Sequence, residues 1–219
     1  MARFKTLFLV LIILALIAYR LFFYVPGGIV IEKKIKTSRF DMVYPQISHS
    51  TDEATKNAIN RLLYSEAFQF SEDKDLTKDE QKDSNYYVRS YIKRYTPPIL
   101  SIRYDESFMA LHMAHPMNGV RAVTINADNG RVYALKDLFV KGVDHKAVLN
   151  AVTSAILQKK GEVLLYPYAG ITKDQEFYLT NNSLVILFQE YTYTTHAEGA
   201  LEIPVPLSDI KDKLDPLFR

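Results

Sequence analysis

The pattern of hydrophobic and polar residues divides the chain into one long apolar segment and a series of shorter, periodic ones. The long segment runs from Phe4 to Val25, with an unbroken apolar stretch from Leu7 to Tyr19 followed by Arg20 and five more apolar residues. A helix of this length reaches roughly 33 Å, enough to cross a hydrocarbon layer of about 30 Å. We therefore expect residues 4–25 to form one transmembrane helix in the lipid bilayer.

The charges around this segment predict its orientation. Arg3 and Lys5 precede its unbroken apolar stretch without any acidic residue, so the positive-inside bias places residues 1–26 as a cytoplasmic stub and signal anchor, with residues 27–219 outside. A cleaved signal peptide is the alternative. An uncleaved anchor is favoured because the bulky residues from Arg20 to Val25 follow the core where a small-x-small cleavage site would be needed.

Residues 27–126 contain strand patterns and one helical stripe. Alternation over 29–35 and 40–47 predicts two strands, and the stretch 85–126, rich in aromatic and β-branched residues, predicts several more. Between them, apolar residues at helical spacing predict a helix that ends near residue 69, with Ser50 or Thr51 as its N-cap.

Residues 126–219 contain turns, a second helix and further strands. Asn129-Gly130 predicts a hairpin that pairs 122–126 with 131–134. A helix is expected from Asp144 to Lys160, ended by Gly161. Strands are expected at 176–180, 183–189 and 200–205, the last an edge or bulged strand because of its prolines, with a short helix at 209–214.

These segments predict an α+β fold in which helices pack on one face of an antiparallel sheet, preceded by the N-terminal transmembrane helix. Strands and helices are segregated along the chain rather than strictly alternating, which is typical of this class. We expect one extracytoplasmic module over 27–219, with a first half of about 40–125 and a second half of 126–219.

Composition excludes some functions. Three of the 27 basic residues, Arg3, Lys5 and Arg20, belong to the anchor, which leaves 24 basic against 25 acidic residues in the exported part. A nearly neutral module of this kind has no electrostatic footprint for nucleic acid. The chain has no cysteine, so thiol catalysis and thiolate metal sites are excluded.

No complete catalytic motif is present, and we expect no enzymatic activity, cofactor or metal. His112 and His115 form the nearest approach to a metal motif. Residues three apart on a strand point to opposite faces, so this pair is not expected to share one ion.

Two loops are the main candidates for ligand binding. The segment 191–199 is rich in tyrosine and threonine, which supply contact area and adaptable hydrogen bonds. The second is the turn at 115–119. The candidate binding residues are His115, Asn118, Tyr191, Tyr193, Thr195, His196 and Glu198. The alternative is that Tyr191 and Tyr193 are ordinary strand residues on one face.

Two further surfaces have two interpretations each. Strand residues Tyr87, Arg89, Tyr91, Lys93 and Tyr95 are expected on one face, which could stack on sugar rings or form the solvent side of an antiparallel sheet. The acidic run 66–83 is either a solvated helix end and loop or a docking surface for a basic partner.

Two stretches resemble a known bacterial family. The run from His115-Pro116 through Val123-Thr124-Ile125-Asn126-Ala127-Asp128-Asn129-Gly130 to Lys136-Asp137-Leu138-Phe139 is similar to the signature of an extracytoplasmic domain of uncharacterised function. The segment Phe188-Gln189-Glu190-Tyr191 and the run Gly199 to Ile210, which contains Glu202-Ile203-Pro204, resemble the domain that usually accompanies it. Tyr44-Pro45-Gln46-Ile47 and the helix carrying Asn57-Ala58-Ile59-Asn60 also match the family's opening. The likeness covers roughly residues 40–213.

These paired domains form the outer part of RsiV-like anti-sigma factors, where they bind lysozyme, and a related module precedes some peptidoglycan deacetylases. The resemblance thus implies a binding or sensing module, anchored in the bacterial cytoplasmic (inner) membrane and exposed to the periplasm or the exterior. Its expected ligand is a lysozyme-like protein or a peptidoglycan fragment. The alternative is a cell-wall hydrolase or deacetylase built around His115, His196 and a carboxylate, Asp128 or Glu198.

Overall fold

The computed structural model describes residues 29–49, 52–69, 83–110, 113–161 and 163–219. The expected transmembrane segment 4–25, the caps Ser50 and Thr51, His112 and most of the acidic run 66–83 lie outside these ranges. Among the helices that are described, none has the length and apolar character needed to span a membrane.

Five strands form the first sheet, and one helix packs on it. The strands are β1 (Ile29–Lys36), β2 (Phe40–His49), β3 (Asn85–Thr96), β4 (Ile99–Met109) and β5 (Met117–Asn126), in sheet order β1-β2-β3-β4-β5, and helix α1 (Glu53–Phe68) connects β2 to β3. The pair β2–β3 is parallel and the other pairs are antiparallel. The all-antiparallel expectation is wrong here because a helical crossover returns the chain in the same direction.

A smaller sheet and two helices follow. The strands are β6 (Phe177–Leu179), β7 (Ser183–Phe188) and β8 (Leu201–Pro206), in that order and antiparallel. Helix α2 (His145–Lys160) precedes them and α3 (Leu207–Ile210) follows them, with short 3₁₀ turns at Leu135–Leu138, Lys211–Lys213 and Pro216–Phe218. The α+β class is therefore confirmed, with two sheets in place of the single one expected.

The elements stack in four layers. Helix α1 packs Ile59 and Leu63 onto one face of the first sheet. The opposite face meets the second sheet, where Val120 packs against Val185 and Leu187. Residues 184, 186 and 188 of β7 point the other way, into the core beneath α2. The helices thus cover two different sheets, whereas one shared face was expected.

Local capping explains where the two long helices begin. Asp52 is the N-cap of α1, where its side chain accepts hydrogen bonds from the backbone N–H groups of Ala54 and Thr55. This corrects the expectation of Ser50 or Thr51. Asp144 caps α2, and Gly161 ends it in the left-handed conformation, as predicted.

The predicted hairpin at Asn129-Gly130 is present in short form. Gly130 has φ +74° and donates its N–H to the carbonyl of Asn126. The second arm makes one isolated bridge, between Ile125 and Val132, with hydrogen bonds from Asn126 N–H to the Arg131 carbonyl and from Tyr133 N–H to the Thr124 carbonyl. It forms no further strand because the chain turns into the Leu135–Leu138 turn.

A bulge in β3 changes the predicted tyrosine face. The register with β4 shifts between Ile92 and Arg94, which reverses the facing of all residues beyond it. Tyr87, Arg89 and Tyr91 share the face that meets the second sheet, and the Lys93 ammonium lies over the rings of Tyr91 and Tyr178. Tyr95 instead packs on the α1 side.

Candidate functional site

The outer edge of β5 is bonded to side chains from the second half of the chain. Gln189 accepts from the N–H of Val120 at 3.1 Å and donates to its carbonyl at 2.6 Å. Glu176 accepts from the N–H of Ala122 at 3.0 Å, and Glu190 from that of Asn118 at 3.4 Å. These side chains satisfy backbone groups that an edge strand otherwise exposes.

Beside this edge lies a pocket of about 340 Å³ between the first sheet and the loop that leads from β7 to β8. Its lining residues come from three strands, β3, β4 and β5, and from this loop: Tyr87, Arg89, Arg103, Asp105, Glu106, Ser107, Asn118, Gly119, Val120, Gln189, Glu190, Gly199 and Ala200. Gly119, Gly199 and Ala200 have small or no side chains, which leaves the space open. The volume lies within the range of small-molecule sites.

The two arginines at the floor of the pocket, Arg89 and Arg103, form three ion pairs. Arg89 bonds the carboxylate of Asp41 at 2.7 Å. Arg103 contacts Asp105 at 2.7 Å and also pairs with Glu202. The charges of the floor are therefore largely neutralised, which favours a polar, uncharged group of a ligand over a strongly ionic group at this place.

Glu190, which lines the pocket, also belongs to a cluster of four side chains, His115, Glu190, Tyr191 and His196, which we call the rim cluster. The rings of His115 and His196 lie 4.6 Å apart, centroid to centroid. Nδ1 of His196 lies 3.0 Å from Oε2 of Glu190, and the Tyr191 ring stacks 6.0 Å from the His196 ring. The two predicted binding loops thus meet in space.

Tyr191 has an unusual backbone conformation. Its φ is +66°, in the left-handed region, and its side chain is 53% exposed. For a bulky residue this conformation costs roughly 1–2 kcal/mol, and such residues concentrate at functional sites. The conformation turns the ring outward over His196.

The remaining predicted residues divide between the rim and the interior. Asn118 lies at the pocket on β5. Tyr193 is only 6% exposed and belongs to the core, where it packs against Phe188 and accepts a hydrogen bond from the N–H of Ala169. This buried position argues against a direct contact of Tyr193 with a ligand. The two tyrosines do not share a face because the chain turns at Tyr191.

Thr195 and Glu198 are both exposed and hold the loop by hydrogen bonds to each other. The carboxylate of Glu198 accepts from both the N–H and the hydroxyl of Thr195 at 2.8 Å. The N–H of Thr195 keeps the pKa of Glu198 below its ordinary value. Both residues thus shape the turn that presents His196.

Sequence reasoning missed Glu190, Gln189 and Glu106. Glu190 and Gln189 act through contacts with β5, about 70 residues away, and no local pattern predicts such a contact. Glu106 did leave a signal, because alternation along β4 places it on the same face as Ile102 and Tyr104. A charged residue at a buried position of a strand is rare unless it is paired, so it marks a candidate for a special role.

Glu106 is buried in a group of titratable residues. It is 3% exposed, and neither carboxylate oxygen has a hydrogen-bond partner among the residues described. Burial raises the pKa of Glu106 to about 8, with the nearby Arg121 cation opposing the shift. Arg121 itself pairs with Glu66 of α1. Burial likewise raises the pKa of Glu176.

Of the residues named in the hydrolase hypothesis, the structure brings His115 and His196 together but not the two carboxylates with them. Asp128 lies in the turn after β5, roughly 30 Å along the strand from Asn118 at 3.4 Å per residue, and so is remote from the histidines. Glu198 is engaged by Thr195. In the ranges that the structure covers, no group of three or more His, Asp or Glu side chains has a metal-binding arrangement.

Comparisons with known proteins concern the fold. Residues 136–208 match the family described as "Protein of unknown function (DUF3298)". A crystal structure of a DUF3298 family member from Bacteroides fragilis aligns with a TM-score of 0.68 and 16% identity, covering 87% of this chain and 96% of that one. One of a DUF3298 family protein from Pseudomonas aeruginosa aligns with a TM-score of 0.60 and 10% identity, covering 86% and 93%. No curated protein shows a significant match.

Proposed function

We propose that this protein is a membrane-anchored, RsiV-like binding module of the bacterial cell envelope that holds a peptidoglycan fragment in the pocket beneath the rim cluster. The observation that carries the proposal is the meeting of both predicted binding loops at one open pocket, with His115 and His196 4.6 Å apart at its rim. The anchor, the outward location and the RsiV-like assignment come from the sequence.

The walls of the pocket suit a sugar-containing ligand. Tyr87 is 47% exposed on the pocket side and offers an aromatic face for a sugar ring. Asn118, exposed beside it, offers both a donor and an acceptor. A few polar groups in a mostly apolar concave site fix the orientation of a ligand.

A lysozyme-like protein would use the same region differently. Such a partner would contact the outer side of Tyr191 and His196 and bury a much larger area than the pocket. The concave shape and the volume of about 340 Å³ favour the smaller ligand. Binding of lysozyme in place of a muropeptide would therefore contradict the proposal.

The hydrolase or deacetylase alternative is favoured by one contact. The Glu190 carboxylate bonds Nδ1 of His196 at 3.0 Å, an arrangement that orients an imidazole for general-base chemistry. Glu190 thus takes the place of Asp128 or Glu198 in that hypothesis. Release of acetate or of new reducing ends from peptidoglycan, lost in His196→Ala, would support it over simple binding.

The test is calorimetric titration of the full-length protein in mild detergent with soluble muropeptides and, separately, with a c-type lysozyme. Saturable muropeptide binding that weakens at least tenfold in Tyr87→Ala and His196→Ala supports the proposal. The matched control is His145→Ala, at the start of α2 and outside the pocket lining. Binding of lysozyme alone, or muropeptide binding indifferent to both variants, would contradict it.

A further inference from the structure

His115 and His196 form a ring pair whose hydrogen bonds have the same pattern. Nδ1 of His115 lies 3.0 Å from the carbonyl oxygen of Pro116, and Nδ1 of His196 lies 3.0 Å from Oε2 of Glu190. A carbonyl and a carboxylate can only accept, so each Nδ1 carries the proton. In each neutral ring the lone pair therefore lies on Nε2.

Neither Nε2 has a hydrogen-bond partner within the described part of the chain. An imidazole that ligates a metal through one nitrogen commonly donates its other N–H to a carboxylate or a backbone carbonyl. Here the acceptor for His115 is a backbone carbonyl, and the acceptor for His196 is a carboxylate. Both histidines thus already have the outer contacts that metal-bound imidazoles require.

The ring separation fits one shared ion. With a metal–nitrogen bond of about 2.05 Å, the ion lies about 3.2 Å from each ring centroid. When the nitrogen–metal–nitrogen angle lies between the square-planar and the tetrahedral value, the centroids of two such rings are about 4.5–5.2 Å apart. The centroids of His115 and His196 are 4.6 Å apart, with the rings tilted by 35°.

We propose that His115 and His196 form a two-histidine site for a divalent transition metal such as Zn²⁺, with Glu190 and the Pro116 carbonyl orienting the rings. Water or a ligand would complete the coordination, because the described residues supply no third side chain. Imidazole nitrogen suits Zn²⁺, Cu²⁺ and Ni²⁺. The site does not depend on the proposed peptidoglycan ligand.

The prediction that His112 and His115 would not share an ion is unaffected. The partner of His115 is a residue from the β7–β8 loop, brought close by the contacts of Glu190 and Gln189 with β5. A spacing motif in the sequence could not reveal this pair.

The test is titration of the full-length, metal-free protein with Zn²⁺ alone, followed by calorimetry. We expect one ion per chain, with affinity reduced at least tenfold in His115→Gln and in His196→Gln. His145→Gln is the matched control, because the His145 ring packs beside Phe139, with the ring centroids 5.9 Å apart. The Zn²⁺ affinity of this variant should equal that of the wild type. Circular dichroism of each variant checks that the fold is retained.

A second readout counts the ligands. Electron paramagnetic resonance of the Cu²⁺-loaded protein should show two imidazole nitrogens, and one in either single variant. Zn²⁺ binding that is indifferent to both substitutions, or no saturable binding up to about 1 mM, would overturn the proposal.

Discussion

Glu190 joins His196 to the edge of the first sheet. Its Oε2 lies 3.0 Å from Nδ1 of His196, while its Oε1 accepts the backbone N–H of Asn118 at 3.4 Å. One carboxylate therefore holds the loop between β7 and β8 against β5. The candidate site is consequently a property of the junction between the two sheets, and neither sheet could form it alone.

Gln189 should stabilise this junction most directly. Gln189→Ala removes two hydrogen bonds to Val120 and leaves a backbone N–H and a carbonyl of β5 without them. We expect the free energy of unfolding to fall by about 1–3 kcal/mol in urea denaturation. Gln158→Ala, at an exposed position on α2, is the control and should change it by less than about 0.5 kcal/mol. Equal effects would show that the junction contributes little.

Glu106 should make stability depend on pH. Because burial raises its pKa to about 8 when folded, the folded protein binds more protons than the unfolded chain between about pH 4.5 and 8. The contribution of Glu106 therefore favours folding at low pH and is lost as the pH rises through 8. The limiting slope for one proton is about 1.4 kcal/mol per pH unit.

The variant Glu106→Gln isolates this contribution. We expect urea denaturation over pH 5–8 to show a flatter profile than in the wild type, with the largest gain in stability at pH 8. Glu53→Gln, at an exposed position on α1, should retain the wild-type profile. A Glu106→Gln profile parallel to that of the wild type would mean that Glu106 does not titrate in this range.

Two glycines with similar backbone angles should respond differently to alanine. Gly170 has φ +90° and Gly142 has φ +91°. A Cβ at 170 would lie 2.9 Å from Oδ1 of Asn150, which accepts the N–H of Ile171, whereas a Cβ at 142 meets nothing within 4 Å. Gly142→Ala should cost about 1–2 kcal/mol from backbone strain alone, and Gly170→Ala at least 1 kcal/mol more, by thermal unfolding. Equal losses would contradict this packing.

The two tyrosines of the β7–β8 loop should separate stability from binding. Tyr193→Ala empties a core position and should cost about 3–5 kcal/mol. Tyr191→Gly should stay within about 1 kcal/mol of the wild type, because relief of the strained φ offsets the added chain entropy. The same Tyr191→Gly variant should weaken ligand binding in calorimetry. A large loss of stability in Tyr191→Gly would assign Tyr191 to the fold.

The sequence predicted those features of the helices and strands that depend on neighbouring residues in the chain. The caps Asp144 and Gly161 act within one helix, and the apolar run of β7 is buried on both faces, as continuous runs of that kind are. The parallel pairing of β2 with β3 and the bulge after Ile92 depend on tertiary contacts. A one-residue slip suffices to move Tyr95 to the other face.

The candidate site was predictable only in part for the same reason. Tyr191, His196 and His115 are visible as unusual residues in loops, and the structure brings them together. Glu190 connects them, yet its contact with Asn118 joins residues that are 72 positions apart. Residue spacing in the sequence does not predict a contact between residues so far apart along the chain.

The most direct test of the central claim is a ¹⁵N NMR titration of the full-length protein in detergent micelles with a soluble muropeptide. We predict saturable shifts of the amide signals of Asn118, Gly119 and Gly199, which line the pocket, and unchanged signals of Gly142 and Gly161, which do not. Shifts confined to residues outside the pocket, or none at saturating muropeptide, would contradict the claim that this pocket is the binding site.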